Sequence, residues 1–200
     1  ITYYQTTLLC KEVVIALSHK NNYRKKVYPN YKSNRKGVRK PLTYQPLREW
    51  LHKNFQTHEY PNLEGDDVLG ILATSDLIKG EKIILTKDKD LKTIPSTIWF
   101  MNGKNEYTTI DKKEADYNFM KQTLMGDTVD GYKGCPRVGE VSAERILQKH
   151  KGDKKAMWQA VLHTYKVNGI HRTAVIVQAR LARILRKGEY DFTTHKPKLW

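Results

Sequence analysis

Seven acidic residues stand out from a chain that carries 36 Lys and Arg against 21 Asp and Glu, for a net charge of +15. They form three short groups: Glu64, Asp66 and Asp67 in NLEGDD, Asp88 and Asp90 in LTKDKD, and Asp127 and Asp130 in MGDTVDGYKG. Each group falls at the edge of an expected element, so separate segments could bring them together where strands end. Seven carboxylates gathered without cations would repel one another at high cost. Divalent ions remove that cost. A donor set made only of oxygen selects hard ions such as Mg²⁺ or Mn²⁺, and two ions about 3.5–4 Å apart can stabilise both the attacking and the leaving oxygen of an in-line phosphoryl displacement. Each group also has a plain structural reading: a favourable helix start, a solvated loop, and a turn before Gly131. The seven histidines form no HxH or HExxH pattern, so zinc is not indicated. Cys10 and Cys135 lack ligand spacing and suggest no disulfide framework, which fits a reducing compartment.

The surrounding charge points to a polyanion. From Val13 to Arg48 there is no acid, while Lys20, Arg24, Lys25, Lys26, Lys32, Arg35, Lys36, Arg39, Lys40 and Arg48 all lie there. A solvated face mixes signs, so this run reads as a track for phosphates. Tyr23, Tyr28 and Tyr31 are interleaved with it and suit either stacking on unpaired bases or packing. No stretch approaches the ~20 apolar residues of a membrane span, and ITYYQTTLLC has none of the marks of a signal peptide. A cytoplasmic protein is expected.

The elements that must position these residues can be read from periodicity and punctuation. LLCKEVVIALS (8–18) reads as a buried strand preceded by the end of a helix, and 44–55 as a helix followed by a short edge strand at THEYP. A helix starts near NLEGDD, capped by Asn62 or Asp66, and stops by Gly80. KIILT (82–86) and STIWFMN (96–102) read as strands, and 111–125, 139–149, 153–166 and 172–187 as helices. The expected fold is therefore α/β with a mainly parallel sheet over 1–110, including the basic region at about 20–41, and a helical lobe over 111–200. Within GYKGCPRVGEVSAERIL, Gly134, Pro136 and Gly139 space a tight turn before a helix at Ser142 and Ala143. Backbone N–H groups of such a hairpin, at about 131–149, can face a phosphate as a helix-hairpin-helix clamp, although a bare helix connection uses the same residues.

Taken together, YRKKVYPNYKSNRKGVRKP, NLEGDDVLGILA, LTKDKDLKTIP, GDTVDGYKG and ARLARILRKGEYDF resemble the 5′-nuclease (flap endonuclease) superfamily, in particular the 5′ to 3′ exonucleases of T7-like bacteriophages. The resemblance implies a PIN-like core, a basic arch or clamp and a helix-3-turn-helix lobe that holds duplex DNA. It implies two Mg²⁺ ions, with Mn²⁺ as a substitute: Glu64, Asp66 and Asp67 mainly for the first, and Asp88, Asp90, Asp127 and Asp130 for the second. It implies catalytic contacts to phosphate from Arg24, Lys32 and Arg35, and DNA contacts from Lys25, Lys36, Arg39, Lys40, Lys133, Gly134, Arg137 and Gly139. The implied activity is 5′ to 3′ hydrolysis of duplex DNA ends, with flaps, RNA primers and RNA/DNA hybrids as further candidate substrates, in phage replication or recombination in the host cytoplasm. Two features depart from the pattern. The family's Asp on its first strand has no counterpart before Leu8, so the stretch holding it is expected to precede Ile1, and His19 stands where an Asp follows the strand VVIALS. An imidazole is the softer ligand for Mg²⁺. The alternatives are a DNA-binding protein of this fold without cleavage activity, and a PIN-type ribonuclease.

Overall fold

A computed structural model describes residues 1–101 and 106–200. Helix α1 (Thr2–Thr7) leads to strand β1 (Val14–Ala16). The basic stretch then holds only a single-turn helix α2 (Arg24–Val27) and a 3₁₀ turn at Ser33–Arg35, as expected of a segment broken by Pro29, Gly37 and Pro41. Next come α3 (Tyr44–Asn54), β2 (Gln56–His58), α4 (Gly65–Thr74), β3 (Ile83–Thr86), a 3₁₀ turn (Lys89–Thr93), β4 (Ser96–Phe100) and β5 (Glu106–Ile110). Four helices follow, α5 (Lys112–Met125), α6 (Glu140–Gln148), α7 (Lys154–Val167) and α8 (Arg172–Ala182), and a short hairpin of β6 (Tyr190–Asp191) and β7 (Lys196–Pro197) completes the described order.

The α/β expectation holds, and the sheet needs correcting. β1 pairs parallel with β2 in one small sheet, while β3 pairs parallel with β4 in another that adds β5 antiparallel at its edge. The single mainly parallel sheet expected over 1–110 is thus two hydrogen-bonded units among the described residues. β1 keeps only three residues of the expected strand 8–18, and part of the strand expected over 96–102 falls outside the described residues.

Packing explains why the helices form where they do. Asp111 starts α5 by accepting the Glu114 N–H at 2.7 Å, and α5 buries Ala115, Asp116, Tyr117, Phe119, Met120, Thr123 and Leu124. With so much of its circumference covered, it is the helix around which α6, α7 and α8 pack. The helical half is joined closely to the α/β half. Ile184 packs with the β3–β4 residues Ile84, Ile98 and Phe100, and Leu185 and Tyr190 pack with Leu63, Val68, Ile71 and Leu72 beside α4.

That junction also corrects the helix expected over 172–187. α8 ends at Ala182, and Arg183, Ile184, Leu185 and Arg186 run on as an extended strap, each less than 8 % exposed. Four consecutive buried side chains suit a segment enclosed on all sides better than the single buried face of a surface helix. The strap passes so close to α4 that a Cβ on Gly70 would lie 2.2 Å from the Leu185 carbonyl oxygen. Only glycine fits there.

Candidate active site

The acids do converge, and the strands and helix starts deliver them. A cavity of about 420 Å³ is lined by Glu64 and Asp66 at the start of α4, Asp88 and Asp90 just after β3, and Asp127 and Asp130 in the turn after α5. β3 stops at Thr86, whose hydroxyl accepts the Asp88 N–H at 2.9 Å. Asp88 then accepts the Asp90 N–H at 2.8 Å and so caps the 3₁₀ turn. Asp127 accepts the N–H groups of Val129 and Asp130, at 2.7 and 3.1 Å, and forms a bridge with Tyr132. The plain structural readings of these acids are therefore also true. One oxygen of Asp88 and one of Asp127 makes the turn, and the other is not used by it.

Asp67 is not brought into the cavity. It is fully buried, and Arg24, only 2 % exposed, binds it bidentately at 2.6 and 2.8 Å. Its oxygens also accept the N–H groups of Glu64, at 3.2 Å, and Leu185, at 3.2 Å. Neighbouring positions on a helix point about 100° apart, so Asp66 faces the cavity while Asp67 shares the inward face of Val68, Ile71 and Leu72. Burial alone would drive Arg24 towards neutrality, and the Asp67 carboxylate overrides it and keeps the guanidinium charged. Arg24 also donates to the carbonyls of Leu181 and Arg183 at 3.0 and 2.6 Å. It anchors α2 to α4 and the strap, and is not free to reach a phosphate as expected.

The other bases divide sharply. The Lys32 ammonium lies 2.6 Å from Glu64 and 3.3 Å from Asp130, and Arg35 lies 2.9 Å from Asp130. Lys25, Lys36, Arg39, Lys40, Lys133 and Arg137 are exposed, outside the cavity. Gly139 is the exposed N-cap of α6. Gly134 is packed against Gly126, where a Cβ on either would meet the other's backbone N at 2.2–2.3 Å, and its N–H donates to Gln178 at 2.9 Å. The Gly134 N–H is therefore already used inside the protein.

Several cavity residues were not anticipated. Tyr31 is 3 % exposed and its hydroxyl lies 2.8 Å from Glu64 and 2.9 Å from Asp130. Tyr23 is buried too, so both serve packing and hydrogen bonding rather than stacking on bases. Ser18, Lys89, Gln122 and Tyr132 complete that side of the lining. His19 does not line the cavity. Its Nδ1 accepts the N–H groups of Asn21 and Asn62, at 3.1 and 3.2 Å, while Ser18 beside it accepts the Gly65 N–H at 2.8 Å. The position next to the acids is thus a serine hydroxyl rather than an imidazole. The only signal in the sequence was the alternation of side chains after β1.

The electrostatics separate two groups of acids. Burial raises the Glu64 carboxyl, but Arg24 and Lys32 outweigh it and hold it below the usual range. Asp66 has no such ion-pair partner among the described residues, and burial reinforced by Asp88 and Glu64 pushes it up to about 7. Burial and Asp88 likewise push Asp90 up to about 6. Carboxylates under this strain suit a hard divalent cation, and every donor available is oxygen. Among the described residues, no three acidic, His or Cys side chains are already drawn together tightly enough to hold one ion.

Acids gathered at strand ends in an α/β core, with a basic segment at the cavity edge and stacked helices beside it, are an arrangement that suits a nuclease. Known proteins bear this out. Residues 4–120 match the family model of the 5'-3' exonuclease N-terminal resolvase-like domain. The exodeoxyribonuclease of Enterobacteria phage T3 and the exonuclease of Escherichia phage T7 are each 32% identical over 94% of this chain, covering 72% and 73% of their own lengths. A 5'-3' exonuclease of Buchnera aphidicola is also 32% identical, over 72% of this chain and 54% of its own. Among solved structures, the T5 5'-exonuclease with bound zinc superposes with a TM-score of 0.59 at 14% identity, covering 90% of this chain and 82% of that one. The T5 flap endonuclease in a complex with DNA and metal ions gives 0.58 at 11%, covering 91% and 85%. The chain belongs to the 5'-3' exonuclease family, a group of phage and bacterial nucleases.

Proposed function

We propose that this chain is a divalent-metal-dependent 5′ to 3′ exonuclease acting on duplex DNA ends, with flaps and RNA primers as further substrates, in phage replication or recombination in the host cytoplasm. The observation that carries this reading is the group Asp66, Asp88, Asp90 and Asp127, four acids lining one cavity with no ion-pair partner among the described residues. Those four, with Glu64 and Asp130, would hold Mg²⁺ or Mn²⁺, which when bound supplies the positive charge that stabilises the attacking and leaving oxygens. The chain's own residues do the rest. Lys32 and Arg35 sit at the cavity edge with flexible side chains able to contact the phosphate, and the exposed bases of 25–40 with Lys133 and Arg137 hold the polymer. Asp67 and Arg24 keep the start of α4 in place, so that Glu64 and Asp66 point into the cavity.

Replacing Asp88 and Asp90 together by Ala should cut Mg²⁺-dependent cleavage of end-labelled duplex by at least about 10²–10³-fold, the scale of losing one electrostatic interaction with a transition state, while sparing most DNA binding. Turnover at the wild-type rate by that variant overturns the assignment. Ser18, at the place where the family pattern calls for an acid nearby, favours one second reading, a DNA-binding protein of this fold without cleavage. The same assay with wild-type protein separates the two, because that reading requires binding with no Mg²⁺- or Mn²⁺-dependent product.

A further inference from the structure

The two carboxylates with the fewest free lone pairs in the cavity are Glu64 and Asp130, and two side chains are common to both, Tyr31 and Lys32. Glu64 gives one oxygen to the Lys32 ammonium at 2.6 Å and the other to Tyr31, at 2.8 Å, and Arg24, at 3.2 Å. Asp130 gives one oxygen to Arg35 at 2.9 Å and the other to Tyr31 at 2.9 Å, with the Lys32 ammonium 3.3 Å away. Arg24 and Tyr31 are buried and fixed, whereas Lys32 is 16 % exposed and reaches in on a flexible stem. Its backbone is held separately, in the left-handed region at φ 54° with its N–H on the Asp130 carbonyl at 2.8 Å, so the ammonium can leave while the segment stays docked.

Resting on the metal-site reading above, we propose that the Lys32 ammonium is an internal counter-ion standing between Glu64 and Asp130 in the metal-free protein, and that a divalent cation must displace it, which frees the amine for the incoming phosphate. An ammonium and a divalent ion seek the same carboxylate lone pairs, and they repel each other at such range. Only one can be held there. The Tyr31 hydroxyl lies within reach of both Glu64 and Asp130, so its one proton can turn to either carboxylate while the cation is exchanged. The exchange makes the order of events metal first and phosphate second, since the lysine is released for DNA only after the ion has taken its place.

The test uses metal alone. Lys32→Met should bind Mn²⁺ about tenfold more tightly than wild type by calorimetry, because the competing charge is gone, while Lys32→Arg should not gain affinity. Unchanged or weaker Mn²⁺ binding by Lys32→Met overturns the exchange. In case that variant fails to fold, ¹⁵N-detected NMR of the wild-type lysine ammonium groups is decisive: the Lys32 resonance should move with Mg²⁺ occupancy, whereas Lys121, paired with Glu140 and Glu144 outside the cavity, should stay. A Lys32 resonance that does not move at saturating Mg²⁺ overturns the proposal while leaving the metal site intact. If neither Mn²⁺ nor Mg²⁺ binds wild type at all, the reading of the metal site itself fails, and the exchange falls with it.

Discussion

The two sides of the acidic cavity differ in who neutralises them. On one side Glu64 and Asp130 are met by Arg24, Lys32 and Arg35, with Tyr31 between them and Asp67 buried behind on Arg24. On the other, Asp66, Asp88, Asp90 and Asp127 meet one another, Gln122 and backbone N–H groups. On the first side the Arg24–Asp67 pair is part of the folded scaffold, because breaking it strands buried charge. The second contributes nothing to the fold that its backbone turns do not already supply. A protein keeps such a set against its own electrostatics when something from outside completes it.

That contrast can be broken from either side. The largest effect belongs to Arg24→Met, which leaves Asp67 as an uncompensated buried charge. Calorimetry should record a loss of about 3–5 kcal/mol and a fall in Tm on the order of 10 °C. A loss below about 1 kcal/mol would mean that this side is not structural. Next is completion of the other side, where Mn²⁺ at a hundredfold excess over its Kd should add about 2.7 kcal/mol in a thermal scan. The Asp88→Asn, Asp90→Asn double variant should lose that gain. A smaller effect is expected from Asp66→Asn in metal-free protein. The folded-state value of about 7 lies above the ordinary 3.8, so the charge is harder to hold folded than unfolded. Removing it should therefore stabilise at pH 8, by about 1 kcal/mol after allowing for solvent screening, and the gain should vanish below pH ~4, where the unfolded carboxyl is protonated too. The smallest concerns the exposed bases. Lys40→Ala should lower the slope of log affinity against log salt by about 0.9 for each phosphate it no longer neutralises, a slope that Arg24→Met should leave alone because Arg24, although it borders the cavity, is 2 % exposed and already bound to Asp67.

Much of this was legible in the sequence where local rules act alone. Helices α3 to α7 follow from apolar spacing and from caps such as Asp111 and Asp153, and the acids could be grouped because each set sits where an element begins or ends. Asp66 and Asp67 were not told apart, although the helical phase of Val68, Ile71 and Leu72 already put Asp67 on the inward face. The role of Arg24 could not be read, because it depends on carbonyls more than 150 positions away. The strap was hidden for the same reason. ARLARILR has the composition of a helix throughout, yet its second half, Arg183–Arg186, leaves α8, where Leu185 and Arg186 are bound across the fold by Asp67, Asp116 and the Thr93 carbonyl. β5 escaped notice because an edge strand of Tyr107, Thr108 and Thr109 shows little apolar alternation.

The strap has a consequence for the order in which the molecule assembles. Arg24, Asp67 and Leu185 form one buried knot whose members are separated by 43, 118 and about 160 positions. The early elements, β1, α2 and α4, therefore leave the ribosome long before the residues that fasten them together. Until Leu181–Leu185 emerges, Arg24 lacks its carbonyl acceptors and the start of α4 lacks its lid, so the acids have no fixed arrangement. The acidic cavity thereby takes shape only after the segment that fastens α2 to α4 has been made.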